Sequence, residues 1–177
     1  AVGTPRYARD RSVTRCQLPG GDAIAVRIDD EAGKVDLNIA GSELLGALLL
    51  GAGDRPELVE AHVAAILDYR DHDDIRSISG AERSDYAAAG RDGPRNAAFV
   101  AFEEVGEVLG LPPDLVARLA PHVTVYSGQE GVDPAAASIE LLGLLARDQR
   151  PTGADRDRPA LAPRFTVASV RQAFTIV

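Results

Sequence analysis

Cysteine occurs once in the 177 residues, at Cys16, so no disulfide can close within the chain. A lone thiol leaves the redox compartment open. Beside the Pro19-Gly20-Gly21 turn it reads as a small half-buried residue at a strand edge rather than a reactive group. No stretch of about eighteen apolar residues is present, and no signal peptide is visible. The opening AVGTPRYARDRS has no initiator Met. Basic residues are the minority: 19 Lys and Arg against 27 Asp and Glu give a net charge of −8. That balance argues against a nucleic-acid partner, whose phosphates must be neutralised by Lys and Arg. Catalytic signatures are missing too: there is no G-x-S-x-G, H-E-x-x-H or P-loop. His62, His72 and His122 are not spaced as zinc ligands, and Ser127-Gly128 is a turn with no base in view.

What is present is a chain 45% apolar, enough to bury a core, and of a length that fits one compact domain with a small subdomain. Ile24, Val26 and Ile28 alternate with polar or small neighbours and predict a half-buried strand. A charged turn then leads to Val35-Asp36-Leu37-Asn38. Leu44, Leu45, Leu48 and Leu49 predict a first helix from Ser42, its N-cap, to Leu50. Asp54 is placed to cap a second helix, with Pro56 in its first turn and Leu58, Val59, Val63, Ile66 and Leu67 at helical spacing. His62 lies on that apolar face and reads as a core-edge residue. Phe99, Phe102, Val105, Val108 and Leu109 outline a third helix ended by Gly110, and both Phe residues read as core anchors. A short helix follows Pro112-Pro113, and Val123 to Tyr126 reads as a strand. A last helix spans about Ser138 to Arg147, the polar stretch 148–163 reads as a loop, and Phe165, Val167, Phe174 and Ile176 suggest two closing strands.

Two segments echo each other at an offset of 97 residues: VDLNIAGSELLGAL from Val35 and VDPAAASIELLGLL from Val132. In each, a strand feeds a turn and then an amphipathic helix. Two copies so far apart do not make a solenoid. They are consistent with strands entering and leaving one helical body in similar ways, an α+β arrangement.

The richest chemistry lies between Asp68 and Asp85, in DYRDHDDIRSISGAERSD. Asp71, Asp73, Asp74, Glu82 and Asp85 gather hard oxygen donors, the type that Ca2+ takes in sets of roughly six to eight. Asp71, Asp73 and Glu82 fall at positions one, three and twelve of an EF-hand count. Ile75 and Arg76, however, stand where that loop needs an oxygen ligand and a glycine, so the segment is not an EF-hand. Ser77, Ser79, Asn96 and loop carbonyls are further donors. The same residue types equally describe a solvated acidic loop paired with Arg70, Arg76 and Arg83. Paired carboxylates for acid–base catalysis are a weaker alternative. A different reading comes from VDLNIAGSELLGALLLGAG followed by a helix ending ILDYR, which looks like a helix-hairpin-helix nucleic-acid-binding unit. There the hairpin is interrupted by Asp54-Arg55-Pro56-Glu57.

The ordered set DEAGKVDLNIA, DYRDHDD, GAERSDY, PRNAAF, EEVGEVLGL, LAPHVTVYSG and GVDPAAAS resembles general secretion pathway protein K, the large minor pseudopilin of the type II secretion system. The likeness covers roughly residues 23–145. It implies a pilin-like antiparallel sheet with a large inserted α-helical domain: 1–38 and 122–177 forming the pilin-like part, 39–121 the insertion. It implies a non-enzymatic role at the tip of a periplasmic pseudopilus, with the I and J minor pseudopilins as partners. Calcium in the acidic loops is implied as well, and carried onto this chain it makes Asp71, Asp73, Asp74, Glu82 and Asp85 the candidate ligands. The family's hydrophobic N-terminal helix, its inner-membrane anchor, and its cleavage site are not in this sequence, which implies a truncated soluble portion or a natural divergence from the family pattern. The family's cysteine pairing is impossible with Cys16 alone.

Overall fold

The computed structural model describes residues 13–146, 165–166 and 174–176. Three small strand pairs surround the helices. β1 (Thr14–Gln17) and β2 (Ala23–Val26) form an antiparallel hairpin across Gly20 and Gly21, both at positive φ, which only glycine adopts without strain. β3 (Ile28–Asp30) pairs antiparallel with β6 (Phe174–Ile176), bringing the end of the chain back to its beginning. β4 (Val35–Asp36) pairs with β5 (Val123–Thr124) in parallel. The expected strand through Ile24, Val26 and Ile28 is therefore two strands, broken at Arg27, each with its own partner. Its residues are also less covered than the alternation predicts, Ile24 being exposed. The parallel pair departs from the all-antiparallel expectation because helices intervene between its strands, and a long crossover permits parallel pairing.

Between β4 and β5 lie α1 (Ser42–Gly51), α2 (Val59–Arg70), α3 (Arg83–Ala88), a 3-10 segment at Phe102–Glu107 and α4 (Pro113–Leu119); α5 (Ile139–Ala146) follows β5. The α+β class and the helical middle of the chain agree with the sequence pattern. Details of the helix ends do not. Gly41, in extended backbone, is the N-cap of α1, and Ser42 is its first helical residue. α2 starts at Val59, so Asp54 caps nothing: it is buried, and its Oδ2 lies 2.7 Å from His62 Nδ1. His62, expected at the core edge, is inside it. The third helix shrinks to its 3-10 core because Glu104 bonds back to Ala101 O and to Val100 N, tightening the turn; Phe99 precedes it, buried, stacked 4.9 Å from Tyr69. The polar stretch 148–163 and Val167 lie outside the described residues.

The internal echo has a structural counterpart. Asp36 accepts Asn38 N at its side chain and Ile39 and Ala40 N–H at its carbonyl. Asp133 repeats this with Ala135, Ala136 and Ala137. Val35 and Val132 each sit in a parallel bridge, to Val123 and Thr166. The helices that follow, α1 and α5, pack on each other, and α2 also packs on α1. Leu45, Leu48 and Leu49 join Leu141, Leu142 and Leu145 in one apolar core.

Two glycines that flank the first copy lie backbone-close to the second. A Cβ on Gly33 would lie 2.3 Å from Ala136 O, and one on Gly51 would lie 2.5 Å from Leu144 O. Gly46, on the same helix as Gly51, has ordinary neighbours, Val59 Cγ1 at 3.7 Å and Val63 Cγ2 at 4.0 Å. Opposite outcomes are expected in denaturant unfolding. Gly51→Ala loses about 1–3 kcal/mol through overpacking against backbone. Gly46→Ala gains up to about 1 kcal/mol from helix propensity. Equal effects from the two substitutions would refute the close contact of α1 with α5.

Candidate metal centre

α2 delivers the first part of the site. Its apolar residues bury Val63, Ile66 and Tyr69, and Asp68 is carried into the interior with them, 0% exposed. The helix ends at Asp71, whose backbone turns extended. Asp68 and Asp71 are three residues apart and so share a face at the last turn. The chain then loops outward through residues 72–79 and returns at Gly80. The return is held by Asp68: its Oδ2 accepts Ser77 N at 3.1 Å and its Oδ1 accepts Ser77 Oγ at 2.6 Å. Gly80 passes so near that a Cβ there would lie 2.0 Å from Asp68 Oδ2, so only glycine fits. Glu82 follows as the N-cap of α3, fixed from its backbone, where Glu82 N donates to Asp85 Oδ2 at 3.0 Å.

This path brings one carboxylate oxygen from each of Asp68, Asp71 and Glu82 within 4.8 Å of the others. Glu82 is 2% exposed; its side chain faces the Asp85 N–H across the capping box of α3, and neither carboxylate oxygen accepts a hydrogen bond of normal geometry. Burial, then the charges of Asp68, Asp71, Asp74 and Asp73, push its carboxyl up to about 7. Burial chiefly, with the charges of Asp73 and Asp68, also raises Asp71. The nearby arginines are drawn to other partners, although the charge of Arg70 still acts on Asp71. Arg70 turns away to the carbonyls of Leu37 and Ala40, Arg76 pairs with Asp85 and Arg83 with Asp74.

Of the residues singled out in the sequence, the fold unites Asp71 and Glu82. The others hold the loop. Asp73 Oδ1 accepts Ile75 N at 2.7 Å, and Asp74 Oδ1 accepts Asn96 Nδ2 at 2.9 Å. Asp85 caps α3 and pairs with Arg76; these hydrogen bonds lower its pKa, the one from Glu82 N most. Asn96 also ties Asp73 O, from a backbone φ of +51°. Asp68 opens the acidic stretch but is not among the five candidates; the structure adds it. Its three-residue spacing from Asp71 was the available signal.

The donor set suits a hard divalent cation. It is all carboxylate oxygen, without His or Cys, as Ca2+ prefers. A buried glutamate with no hydrogen bond of normal geometry beside two further carboxylates costs free energy unless it is protonated or meets a cation. The sign of the pH dependence follows. Folded, Glu82 holds its proton to about 7; unfolded, it releases it near the ordinary 4.5. The folded state binds more protons in that window, so stability falls as pH rises through it. In chelator, thermal unfolding should therefore show the protein losing stability from about pH 4.5 to above pH 7. Glu82→Gln should flatten that loss and leave the metal-free protein more stable than wild type at pH 8. A destabilised Glu82→Gln protein at pH 8 would show that the carboxylate is satisfied after all.

Comparison with known proteins places this geometry in context. A family model described as type II secretion system (T2SS), protein K, matches residues 28–128, which contain the whole cluster. The fold is similar to a chain of the crystal structure of the GspK-GspI-GspJ complex from the enterotoxigenic Escherichia coli type 2 secretion system. That match has a TM-score of 0.66 at 20% identity, over 82% of this chain and 59% of that one. The chain thus spans a little over half the length of its structural relative. No curated protein matches.

Proposed function

The chain belongs to the type II secretion system protein K family, and from that premise we propose that it serves as a non-enzymatic minor pseudopilin at the tip of the pseudopilus, supporting protein export across the outer membrane. The supporting observation is the family match across residues 28–128, joined to a fold shared with a protein solved in complex with GspI and GspJ. Partners of the I and J classes follow from this reading, as does a periplasmic location with an inner-membrane anchor supplied by an N-terminal helix. Among the described residues, no helix is long and apolar enough to cross a membrane. The division into a pilin-like part, 1–38 and 122–177, and a helical insertion, 39–121, belongs to the same proposal.

Ca2+ is the proposed ligand of the carboxylate cluster. Asp68, Asp71 and Glu82 would hold it, and its chemistry there is charge compensation: it replaces the proton on Glu82 and ties the end of α2 to the start of α3. Asp73, Asp74 and Asp85 act in this scheme by shaping the loop, with their carbonyls and remaining oxygens available to the ion. The helix-hairpin-helix alternative has lost its physical basis. The amides of the Gly51–Arg55 turn are spent internally: Ala52, Gly53 and Asp54 N–H bond to Leu48, Leu50 and Leu49 carbonyls, and Arg55 N–H to Asp54 Oδ1. None is left to meet a phosphate.

Binding to the folded state alone stabilises by mass action, about 4 kcal/mol at free Ca2+ a thousandfold above Kd. For a chain of this size that is a rise in Tm on the order of 10 °C. Millimolar Ca2+ should raise Tm by that order and EDTA should reverse it. Asp71→Asn and Glu82→Gln should abolish the response, and Asp73→Ala should only weaken it. Calcium titration by calorimetry checks the same set. A wild-type protein indifferent to Ca2+ would defeat the metal assignment. Failure of the full-length protein to co-purify with I- and J-class pseudopilins would defeat the tip assignment.

A further inference from the structure

Neither strand of the β1–β2 hairpin places a buried residue in the core. Thr14, Cys16 and Val26 are half-buried, while Arg15, Gln17, Ala23, Ile24 and Ala25 are exposed, Ile24 at 44%. A two-stranded ribbon that buries so little is marginal by itself, and further strands are what stabilise such a unit. The ladder shows where a strand can be added. Leu18 N–H donates to Asp22 O at 2.7 Å, so these two form a hydrogen-bonded pair. With Cys16 opposite Ile24 and Thr14 opposite Val26, alternation makes those pairs hydrogen-bonded too. Gln17 with Ala23 and Arg15 with Ala25 are then the non-bonded pairs, whose N–H and C=O groups point away from the hairpin. Among the described residues nothing bonds to those groups of Ala23 and Ala25. β6 does not reach them, since its pairing stops at Ile28.

We infer that β2 pairs antiparallel with β2 of a second copy of this chain, closing a four-stranded sheet about a two-fold axis at Ile24. Outward groups must meet outward groups, so Ala23 bonds with the partner's Ala25, Ala25 with the partner's Ala23, and the two Ile24 side chains face each other. Of the registers that this parity allows, it is the one that keeps every new bond within β2. Side chains and charge select a second copy. One face then reads Cys16, Ile24, Ile24, Cys16 across the sheet, an apolar row that covers the exposed isoleucines; on the other face only Ala23 and Ala25 meet, small enough for close approach. The chain carries −8, yet Thr14–Val26 holds Arg15 and Asp22 alone and is neutral, so two acidic molecules meet at an uncharged element. Antiparallel pairing also brings the Asp22 end of each β2 beside the Arg27 end of the other, unlike charges together, with Arg27 also held by Asp29 at 2.9 Å. The opposite edge, β1, carries Arg15, the kind of charge that guards an edge, and β2 has none. Neither the secretion family nor the metal enters this pairing.

Sedimentation velocity on this chain, from about 1 μM to about 1 mM at physiological salt, should show the mass rising from monomer to dimer. In a Cys16→Ser background, Ile24→Cys should give a disulfide-linked dimer under mild oxidation, because facing non-bonded residues have Cα atoms about 4.5 Å apart, within disulfide reach. Gln17→Cys in the same background, a strand away from the axis, should not. Ala25→Pro removes an outward N–H that β1 does not use, and Ile24→Lys sets two like charges on the axis; each should weaken dimerisation about tenfold or more. Both should keep the wild-type Tm at the lowest concentration, since neither side chain is part of the core. A chain that stays monomeric throughout overturns the pairing. So does a dimer that Ile24→Lys retains, or one in which position 24 fails to cross-link. Should Ala25→Pro unfold the hairpin, Ile24→Lys and the cross-link decide.

Discussion

Glu82 is an acid buried at the wrong address. Its carboxylate sits inside the fold without a hydrogen bond of normal geometry, beside Asp68 and Asp71, and the neighbourhood holds its proton on to about 7. Like charges at such range in a poorly solvated place oppose folding. The rest of the local architecture makes sense as the means of holding them together. Asp68 clamps Ser77, Gly80 gives up its side chain to let Asp68 through, and Asp85 fixes Glu82 from behind. Each of these restraints positions oxygen, and none supplies positive charge. Charge compensation by a hard divalent cation is the proposed way in which the arrangement becomes favourable.

The second constraint is steric. Gly33 and Gly51, which flank the first copy of the echoed motif, approach the backbone of the second copy at Ala136 and Leu144. This contact joins the part of the chain before the helices to the part after them, in one core running from Val35 to Phe165. The carboxylate cluster lies at the far end of α2, which packs on α1. The loop after α2 is therefore tied, through α2, to the helix that packs against α5.

These two features also sort the functional readings. A phosphate-binding hairpin needs free amides, and the Gly51–Arg55 turn has used its own. A structural element of a secretion filament needs a rigid body and surfaces for neighbours. The chain belongs to the type II secretion system protein K family, and the filament role is the reading proposed above.

The sequence by itself determined the composition of the fold: an apolar helical middle, strands at both ends, and one acidic segment where oxygen donors collect. Periodicity and charge are local properties, so they survive without a structure. It also carried the echo at Val35 and Val132, because the same Asp-turn chemistry was written twice. Only the tertiary structure decided which strand pairs with which, since alternation fixes a face but not a partner. Only it decided that Asp54 buries against His62 instead of capping a helix. And only it selected Asp68, Asp71 and Glu82 from the acidic crowd, because carboxylates eleven or fourteen positions apart meet through the path of a loop, which no spacing rule encodes.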